Sequence, residues 1–249
     1  MRKRSNKLLV LLAYGAGSLV LILVLLTAAV RIQEWIFRDR AERLFSDIQS
    51  IDPLRTTFDQ TNSIFERWHG SVSYKLPCSK QYCELNIGIV EPSKWHTSRL
   101  FPRLLDLYRL LGGHPAIASA DITVKDGVVS SKHYELVIEA PPDVGTDGHS
   151  LTYYMEGNIS TQPRADTSSL GEPGTRRHPE YEIGSVACLG CLEIHASFTP
   201  LADPADVRRL SRINFSCLTR QHPCRTKSDI MPSAASESLQ ENLPSNGPY

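Results

Sequence analysis

The sequence predicts an α+β protein in which an N-terminal transmembrane helix precedes an extracytoplasmic domain of antiparallel hairpins with packed helices, stabilised by disulfide bonds. Three observations lead to this prediction. Residues 8–30 carry no charged side chain, several later segments alternate apolar and polar residues, and all six cysteines follow the apolar run. The 249-residue chain balances 27 basic against 27 acidic residues, so its charge gives no support to nucleic-acid binding.

The first element is the apolar run of residues 8–30, LLVLLAYGAGSLVLILVLLTAAV. As a helix it measures about 34 Å, against about 30 Å for the hydrocarbon core of a bilayer. A cleaved signal peptide is the alternative, because the preceding residues are basic and Thr27, Ala28 and Ala29 are small. Signal peptides have a shorter apolar region of about 7 to 15 residues, so we expect an uncleaved signal anchor in the lipid bilayer.

The orientation of this anchor is decided by the cysteines. Residues 1–7 form a basic tip, but four arginines follow the run closely, so counting basic residues on the two sides gives nearly a tie. An even number of cysteines in close pairs is typical of an oxidising compartment. We therefore expect the N-terminus in the cytoplasm and the rest of the chain outside, in the periplasm if the protein is bacterial. The outer part then holds 23 basic and 27 acidic residues and is mildly acidic.

Residues 31–50 are predicted to form a juxtamembrane helix or stalk. Apolar residues recur every four positions in part of this segment, and Arg40 interrupts the stripe they form, which comprises Ile32, Ile36, Leu44 and Ile48. Trp35 and Phe37 are expected in the outer headgroup zone, and Asp52-Pro53 should end the helix. Either a solvated connector or a short coiled-coil contact with a partner fits this pattern.

The folded domain is expected to span residues 51–224 and to begin with a helix and a hairpin. Thr57 and Gln60 have the spacing of a capping box. One face of the helix is apolar or small, with Phe58, Thr61, Ile64, Phe65 and Trp68. On either side of the sequence CSKQYC, apolar residues then recur at every second position, which predicts two antiparallel strands.

Further helices and strands follow in alternation. A helix opening at Pro102 carries leucines nearly all round and is predicted to be well buried before Gly112-Gly113 ends it. Asp126-Gly127 separates two alternating segments and predicts a second hairpin. Further strands are expected around residues 151–155 and 192–198, and Asp203-Pro204 should open another helix.

Two segments are predicted to lie outside the packed domain. Residues 162–184 contain three prolines, three glycines and few apolar residues, so we expect an exposed loop that is mobile or used in recognition. The tail of residues 225–249 is rich in Ser, Pro and Asn and is predicted to be disordered.

The cysteines form three close pairs that predict disulfide bonds. We expect the pairings Cys78–Cys83, Cys188–Cys191 and Cys217–Cys224. The alternative is a crossed pairing between the last two groups.

Cys188-Leu-Gly-Cys191 also allows three functional interpretations. A redox pair should open a helix, whose N-terminus lowers the thiol pKa, but the following residues alternate like a strand. Covalent haem attachment needs a histidine after the second cysteine, and the chain has Leu192 there. A zinc ribbon needs a second closely spaced pair, whereas six residues lie between Cys217 and Cys224.

No catalytic residue, cofactor site or metal site is predicted elsewhere. The eight histidines are scattered, and His195 lies on the polar face of its predicted strand, where a pairing with Cys191 is the one catalytic arrangement to consider. Nucleophile-elbow, phosphate-loop, dinucleotide-binding and EF-hand motifs are absent from the sequence. We therefore expect a single-pass protein with a structural or protein-interaction domain and a possible envelope protein partner. The alternatives are an envelope enzyme, foremost a thiol-disulfide oxidoreductase using Cys188 and Cys191, and a zinc-stabilised domain.

Overall fold

The computed structural model describes residues 2–68, 71–74, 78–92, 101–144, 150–161, 176–177, 180–188, 191–220, 224 and 226–240. The helices are α1 Arg2–Gln49, α2 Phe58–Arg67, α3 Phe101–Leu110, α4 Pro204–Leu210, a 3₁₀ helix Phe215–Leu218, α5 Lys227–Ile230 and α6 Pro232–Gln240. The strands are β1 Val72–Tyr74, β2 Tyr82–Glu91, β3 Ala116–Lys125, β4 Val128–Val144, β5 Ser150–Thr161, β6 Arg176–Arg177, β7 Tyr181–Cys188 and β8 Cys191–Phe198.

The strands form one mixed sheet in the order β1-β2-β3-β4-β5-β8-β7-β6. Six long strands make the body of the sheet, and the short strands β1 and β6 flank it at the two edges. The predicted α+β class is confirmed. The pairing of β5 with β8 is parallel, however, whereas only antiparallel pairs were predicted. Parallel pairing arises because the chain makes the β6–β7 excursion before it returns as β8 beside β5.

One face of the sheet carries the apolar core. Side chains alternate between buried and partly exposed along β2, as the period of two requires. Helices α1, α2, α5 and α6 all pack against strands of the sheet. Their apolar residues join those of the strands in a single cluster, so the domain is a helical layer on one side of a sheet.

Helix α1 runs without a break from the apolar segment into this core. Within the described part of the chain it is the one helix long and apolar enough to cross a membrane. Its second half does not form the predicted stalk, because the inward face is buried against the domain and comprises Phe37, Ala41, Leu44, Phe45 and Ile48. The stripe of three- and four-residue spacings at 37, 41, 44 and 48 faces the sheet.

The apolar stripe predicted for residues 31–50 therefore agrees only in part with the face of the helix that is buried. Ile32 and Ile36, expected in the apolar stripe, are 60% and 55% exposed, and Trp35 is 59% exposed. Phe37, expected in the headgroup zone, lies in the core. The packed domain thus includes the second half of α1 instead of beginning at residue 51.

The C-terminal end of α1 is held by a buried lysine. Lys132 Nζ donates to the carbonyl oxygens of Ile48 and Gln49, both at 3.1 Å, and of Ile51 at 2.5 Å. These carbonyls lie at the helix end, where intrahelical partners are missing. Burial lowers the pKa of Lys132 to about 8, while the charge of Asp52 acts in the opposite direction.

The predicted hairpins and caps agree with the structure. Thr57 and Gln60 form the capping box of α2. Strands β1 and β2 pair antiparallel on either side of the first cysteine pair, and β3 and β4 pair across the turn at Asp126 and Gly127. Both turn residues have positive φ, as a tight hairpin turn requires. Asp203 caps α4 by accepting from the backbone N–H of Ala205.

Helix α3 is less buried than predicted. Tyr108 is buried, and its ring packs over Gly113 so closely that a β-carbon there would have no room. Leu110, by contrast, is 82% exposed, and Leu107 is 39% exposed. Only one side of α3 faces the domain, so leucines around the whole helix cannot all be covered.

The predicted exposed loop of residues 162–184 is shorter than expected at its C-terminal end. β6 and the first half of β7 fall inside it, and Tyr181 and Ile183 of β7 are buried. The register pairs Arg176 with Ile183. Residues 162–175 and 178–179 of the predicted loop lie outside the described residues.

The tail predicted to be disordered contains two helices. Thr226 and Asp229 form the capping box of α5. Apolar residues of α5, α6 and the residue between them are buried in the core, namely Ile230, Met231, Ala234 and Ala235. These four residues form a narrow apolar stripe. Because the tail as a whole is rich in Ser and Pro, its average composition does not indicate this stripe. Residues 241–249 lie outside the described part of the chain.

An ion pair network holds α6 in place. Arg209 of α4 contacts Glu237 Oε2 at 2.7 Å, and the Tyr181 hydroxyl donates to Glu237 Oε1 at 2.9 Å. The hydrogen bonds from Arg209 to Glu237 and Asp206 raise the pKa of that guanidinium further above its usual range. Glu237 therefore links α6 to both α4 and β7.

Candidate functional site

Two of the predicted cysteine pairs lie at disulfide-bonding distance. Cys78–Cys83 joins the chain before β2 to that strand, with 4.4 Å between the Cα atoms. Cys217–Cys224 joins the 3₁₀ helix to the segment before α5, with a Cα separation of 5.3 Å. The second pair excludes the crossed arrangement, and it leaves a zinc ribbon at Cys188 and Cys191 without its second pair of thiolates.

The backbone positions of Cys188 and Cys191 fit a hairpin end. The two residues are register partners, Cys188 at the end of β7 and Cys191 at the start of β8. Their side chains lie outside the described part of the structure, so a bond between them stays a prediction. Cys191 begins a strand, whereas the low thiol pKa of a redox pair depends on a helix N-terminus.

The three histidines of the described chain occupy two different places. His114 is buried beside α1, whereas His133 and His195 lie on the face of the sheet opposite the helices. The five other histidines, His69, His96, His149, His178 and His222, lie outside the described residues. Within the described part, no group of three or more His, Cys, Asp or Glu side chains is arranged to hold a metal ion.

A buried polar cluster lies where α1 leaves the apolar segment. Glu34 Oε1 accepts from the backbone N–H of His114 at 3.1 Å and lies 3.0 Å from His114 Nδ1. Its other oxygen accepts from Arg31 Nη1 at 2.7 Å. Glu34 therefore contacts one cation and two nitrogen atoms of His114.

Glu91 is the second carboxylate of this cluster and has a different environment. Burial and then the charge of Glu34 raise its pKa to about 7, against a smaller opposite effect of Arg40. Its Oε1 atom is buried without a hydrogen-bond partner among the described residues. Burial and the two carboxylates also raise the pKa of Tyr108 above its usual range. Glu91 is therefore the carboxyl of this cluster that favours its protonated form.

The open face of the sheet carries the other concentration of polar groups. Asn86 Nδ2 donates to Asp121 at 3.0 Å across β2 and β3, and Ser119 donates to Glu135 at 2.7 Å across β3 and β4. Further along the sheet the hydroxyls of Ser160 and Ser197 are 2.8 Å apart across β5 and β8. Cross-strand polar pairs therefore line this face from β2 to β8.

The charge of the open face is negative. The carboxylates on this face whose side chains are described are Glu84, Asp121, Glu135, Glu139, Glu182 and Glu193, and Glu139 among them pairs with Arg109 of α3. The described basic residues on the same face are Lys125 at the end of β3 and, by its register opposite Glu182, Arg177 of β6. Because all these positions share one face of a single sheet, the surface presents a mainly acidic field to solvent.

His195 and Gly184 form a close contact in the middle of β7 and β8. They are register partners, and the imidazole covers Gly184 so closely that a β-carbon there would meet the ring. Nδ1 of His195 lies 3.6 Å from Glu193. The histidine considered as a partner for Cys191 is therefore placed beside a glycine and a glutamate.

Among the described residues, a groove of about 490 Å³ lies beside α1 on the helical side and is lined by Arg40, Arg43, Ser46, Asp47, Arg67 and Trp68. Asp47 accepts from the Trp68 indole at 2.9 Å and pairs with Arg67 at 3.1 Å. These contacts join α1 to α2, which accounts for the polar residues in the groove.

Sequence reasoning did not identify the polar cluster or the acidic face. Glu34, Glu91 and His114 are far apart in the chain, and no local spacing connects them. The acidic face had a detectable signal, because the outward positions of the alternating strands are rich in carboxylates. Strand order was needed to bring them together.

Comparisons of this chain with protein-family models, with curated proteins and with solved structures found no match.

Proposed function

We propose that this chain is a single-pass membrane protein, held by α1 as an uncleaved signal anchor, whose extracytoplasmic domain is a structural or protein-interaction module. The observation that carries the proposal is the continuity of α1. Its described residues 13–29 are exposed and lack charge, and the same helix then enters the core of the domain. An exposed apolar helix of this length finds its natural surroundings in lipid.

The open face of the sheet is the proposed interaction surface. It lies opposite the helical layer, and the described carboxylates there outnumber the described basic residues, Lys125 and Arg177. Charge complementarity therefore favours a cationic polypeptide segment of an envelope protein as the partner. Because α1 is both anchor and core helix, this face is joined to the anchor without a flexible linker.

Catalysis by the Cys188/Cys191 pair is the less favoured function. The redox mechanism relies on a thiol whose pKa is lowered at a helix N-terminus, whereas this pair stands between two antiparallel strands. A hairpin-end cross-link is the role that fits these backbone positions.

Anchoring and orientation are tested on the full chain expressed in a bacterium. We expect the chain to stay in the membrane fraction after an alkaline carbonate wash. A reporter that is active only outside the cytoplasm should be active when fused to the C-terminus. Release by the wash, or activity only of a cytoplasmic reporter in the same position, would contradict the proposal.

The interaction surface is tested by photo-cross-linking in cells, with p-benzoylphenylalanine in place of Ser131 on the open face. The expected adduct should disappear when Asp121→Asn, Glu135→Gln and Glu193→Gln are combined. A matched control removes three negative charges elsewhere through Asp39→Asn, Asp59→Asn and Glu66→Gln and should keep the adduct. Failure to form any adduct, or equal loss in both variants, would refute a cationic partner on this face.

A further inference from the structure

Helix α3 exposes leucines that the domain does not cover. Tyr108 fixes one side of the helix to the domain, while Leu110 is 82% exposed and Leu107 is 39% exposed. Single exposed leucines are common on soluble proteins. Leu107 and Leu110 differ from such residues because α3 lies close to the end of the apolar segment of α1.

The end of α3 lies beside the first turn of α1 after the apolar run. A β-carbon on Gly112, two residues beyond α3, would lie 3.0 Å from Arg31 Nη2. His114 contacts Glu34 through both its backbone N–H and its ring. Arg31 is the first charged residue after residues 8–30. Along the axis of α1, the C-terminal end of α3 therefore lies beside the end of the apolar segment.

Helix α1 exposes large apolar side chains at this level too. Ile32, Trp35 and Ile36 are between 55% and 60% exposed. The Arg38 guanidinium lies 5.2 Å from the Trp35 ring centroid, an arrangement that suits the boundary between apolar chains and headgroups. Two separate elements therefore present apolar side chains next to one end of the apolar run.

Two basic side chains near this end are paired within the protein. Arg31 pairs with Glu34 at 2.7 Å, and Arg109 of α3 pairs with Glu139 at 2.6 Å. Paired charges cost less to bring near lipid than isolated ones. The region can thus approach a bilayer without leaving these ions uncompensated.

We propose that Leu107 and Leu110 of α3 insert into the interfacial region of the leaflet from which α1 emerges, together with Ile32, Trp35 and Ile36 of α1. The occupant of the exposed leucine surface is lipid. This inference rests on the proposed membrane anchoring and adds a second attachment of the domain to the bilayer. With two attachments the domain has a set rotation about the axis of α1 and a set face toward the membrane.

The test uses the full chain in nanodiscs of phosphatidylcholine and phosphatidylglycerol, with p-benzoylphenylalanine placed at one position at a time and lipid adducts measured by mass spectrometry. The photoreactive residue replaces Leu110, or Leu23 in the apolar segment as positive control. It replaces Leu201 as the matched control, since that leucine is 81% exposed but follows β8 at the end of the sheet away from Arg31. Circular dichroism confirms that each variant is folded.

The expected result is lipid adduct at 110 within about threefold of that at 23 and about tenfold above that at 201. Adduct at 23 without adduct at 110 overturns the insertion of α3 but leaves the anchoring intact. Absence of adduct at both positions overturns the anchoring and the inference together. An adduct from 110 to a second copy of the chain would replace lipid by a protein partner and also overturn it.

Discussion

Replacing Glu91 by glutamine should stabilise the protein at alkaline pH. The Glu91 carboxyl is partly buried near Glu34, and its pKa is raised from 4.5 to about 7. The folded state therefore holds a proton that the unfolded state releases between these two values. The stabilisation that comes from this proton is complete below pH 4.5 and is lost as the pH rises through 7.

The magnitude follows from the size of the shift. A change of this size corresponds to about 3 kcal/mol, which we reduce to about 2 kcal/mol because the side chain is partly exposed. Glutamine has nearly the same shape and no charge at any pH in this range. Glu91→Gln should therefore exceed the parent protein in free energy of unfolding by about 2 kcal/mol at pH 8 and by clearly less at pH 5.

The assay is urea unfolding of the full chain in nanodiscs, followed by circular dichroism at pH 5 and pH 8. Glu34→Gln is the matched control at the neighbouring carboxylate. It removes the anion between Arg31 and His114 and should destabilise the protein by about 2 kcal/mol at pH 8. If Glu91→Gln were no more stable than the parent protein at pH 8, the reasoning about this cluster would be wrong.

Three further substitutions test other parts of the structure. Lys132→Met removes the ammonium group that donates to three carbonyls at the end of α1, and urea unfolding should show a loss of about 3 kcal/mol; a loss below about 1 kcal/mol would mean that water replaces it. Ile230→Ala should cost about 3 kcal/mol in the same assay because the side chain is buried in the core, whereas an unchanged stability would support the disordered tail predicted from composition. Gly184→Ala places a methyl group against the His195 ring and should lower the melting temperature, and combining it with His195→Ala should recover part of the loss; additive effects of the two changes would show that the contact does not matter.

The sequence was most informative where the signal is local. The capping box at Thr57 and Gln60, the Asp126-Gly127 turn and the cysteine pair at 78 and 83 each depend on residues close together in the chain. These features depend on backbone hydrogen bonds and on the geometry of short loops. The spacing of residues in the sequence is therefore enough to predict them. These elements were placed correctly.

The errors arose where a partner element decides which face is buried. In α1 two apolar stripes exist, and only the sheet determines that the one through Phe37 and Leu44 turns inward while Ile36 stays outside. The tail was misjudged for the same reason, since Ile230 and Met231 are too few to signal a core segment on their own. The acidic face and the Glu34–Glu91 cluster depend on strand order, which periodicity does not contain.

The shared core has a consequence for the order in which the molecule is made. Residues of α1 near the beginning of the chain and residues of α6 near its end, such as Leu44 and Ala235, belong to one apolar cluster. The cluster is therefore incomplete until α6 has been synthesised. If the domain is exported, the apolar residues of α1 and of the sheet must be shielded until α6 arrives to complete the core.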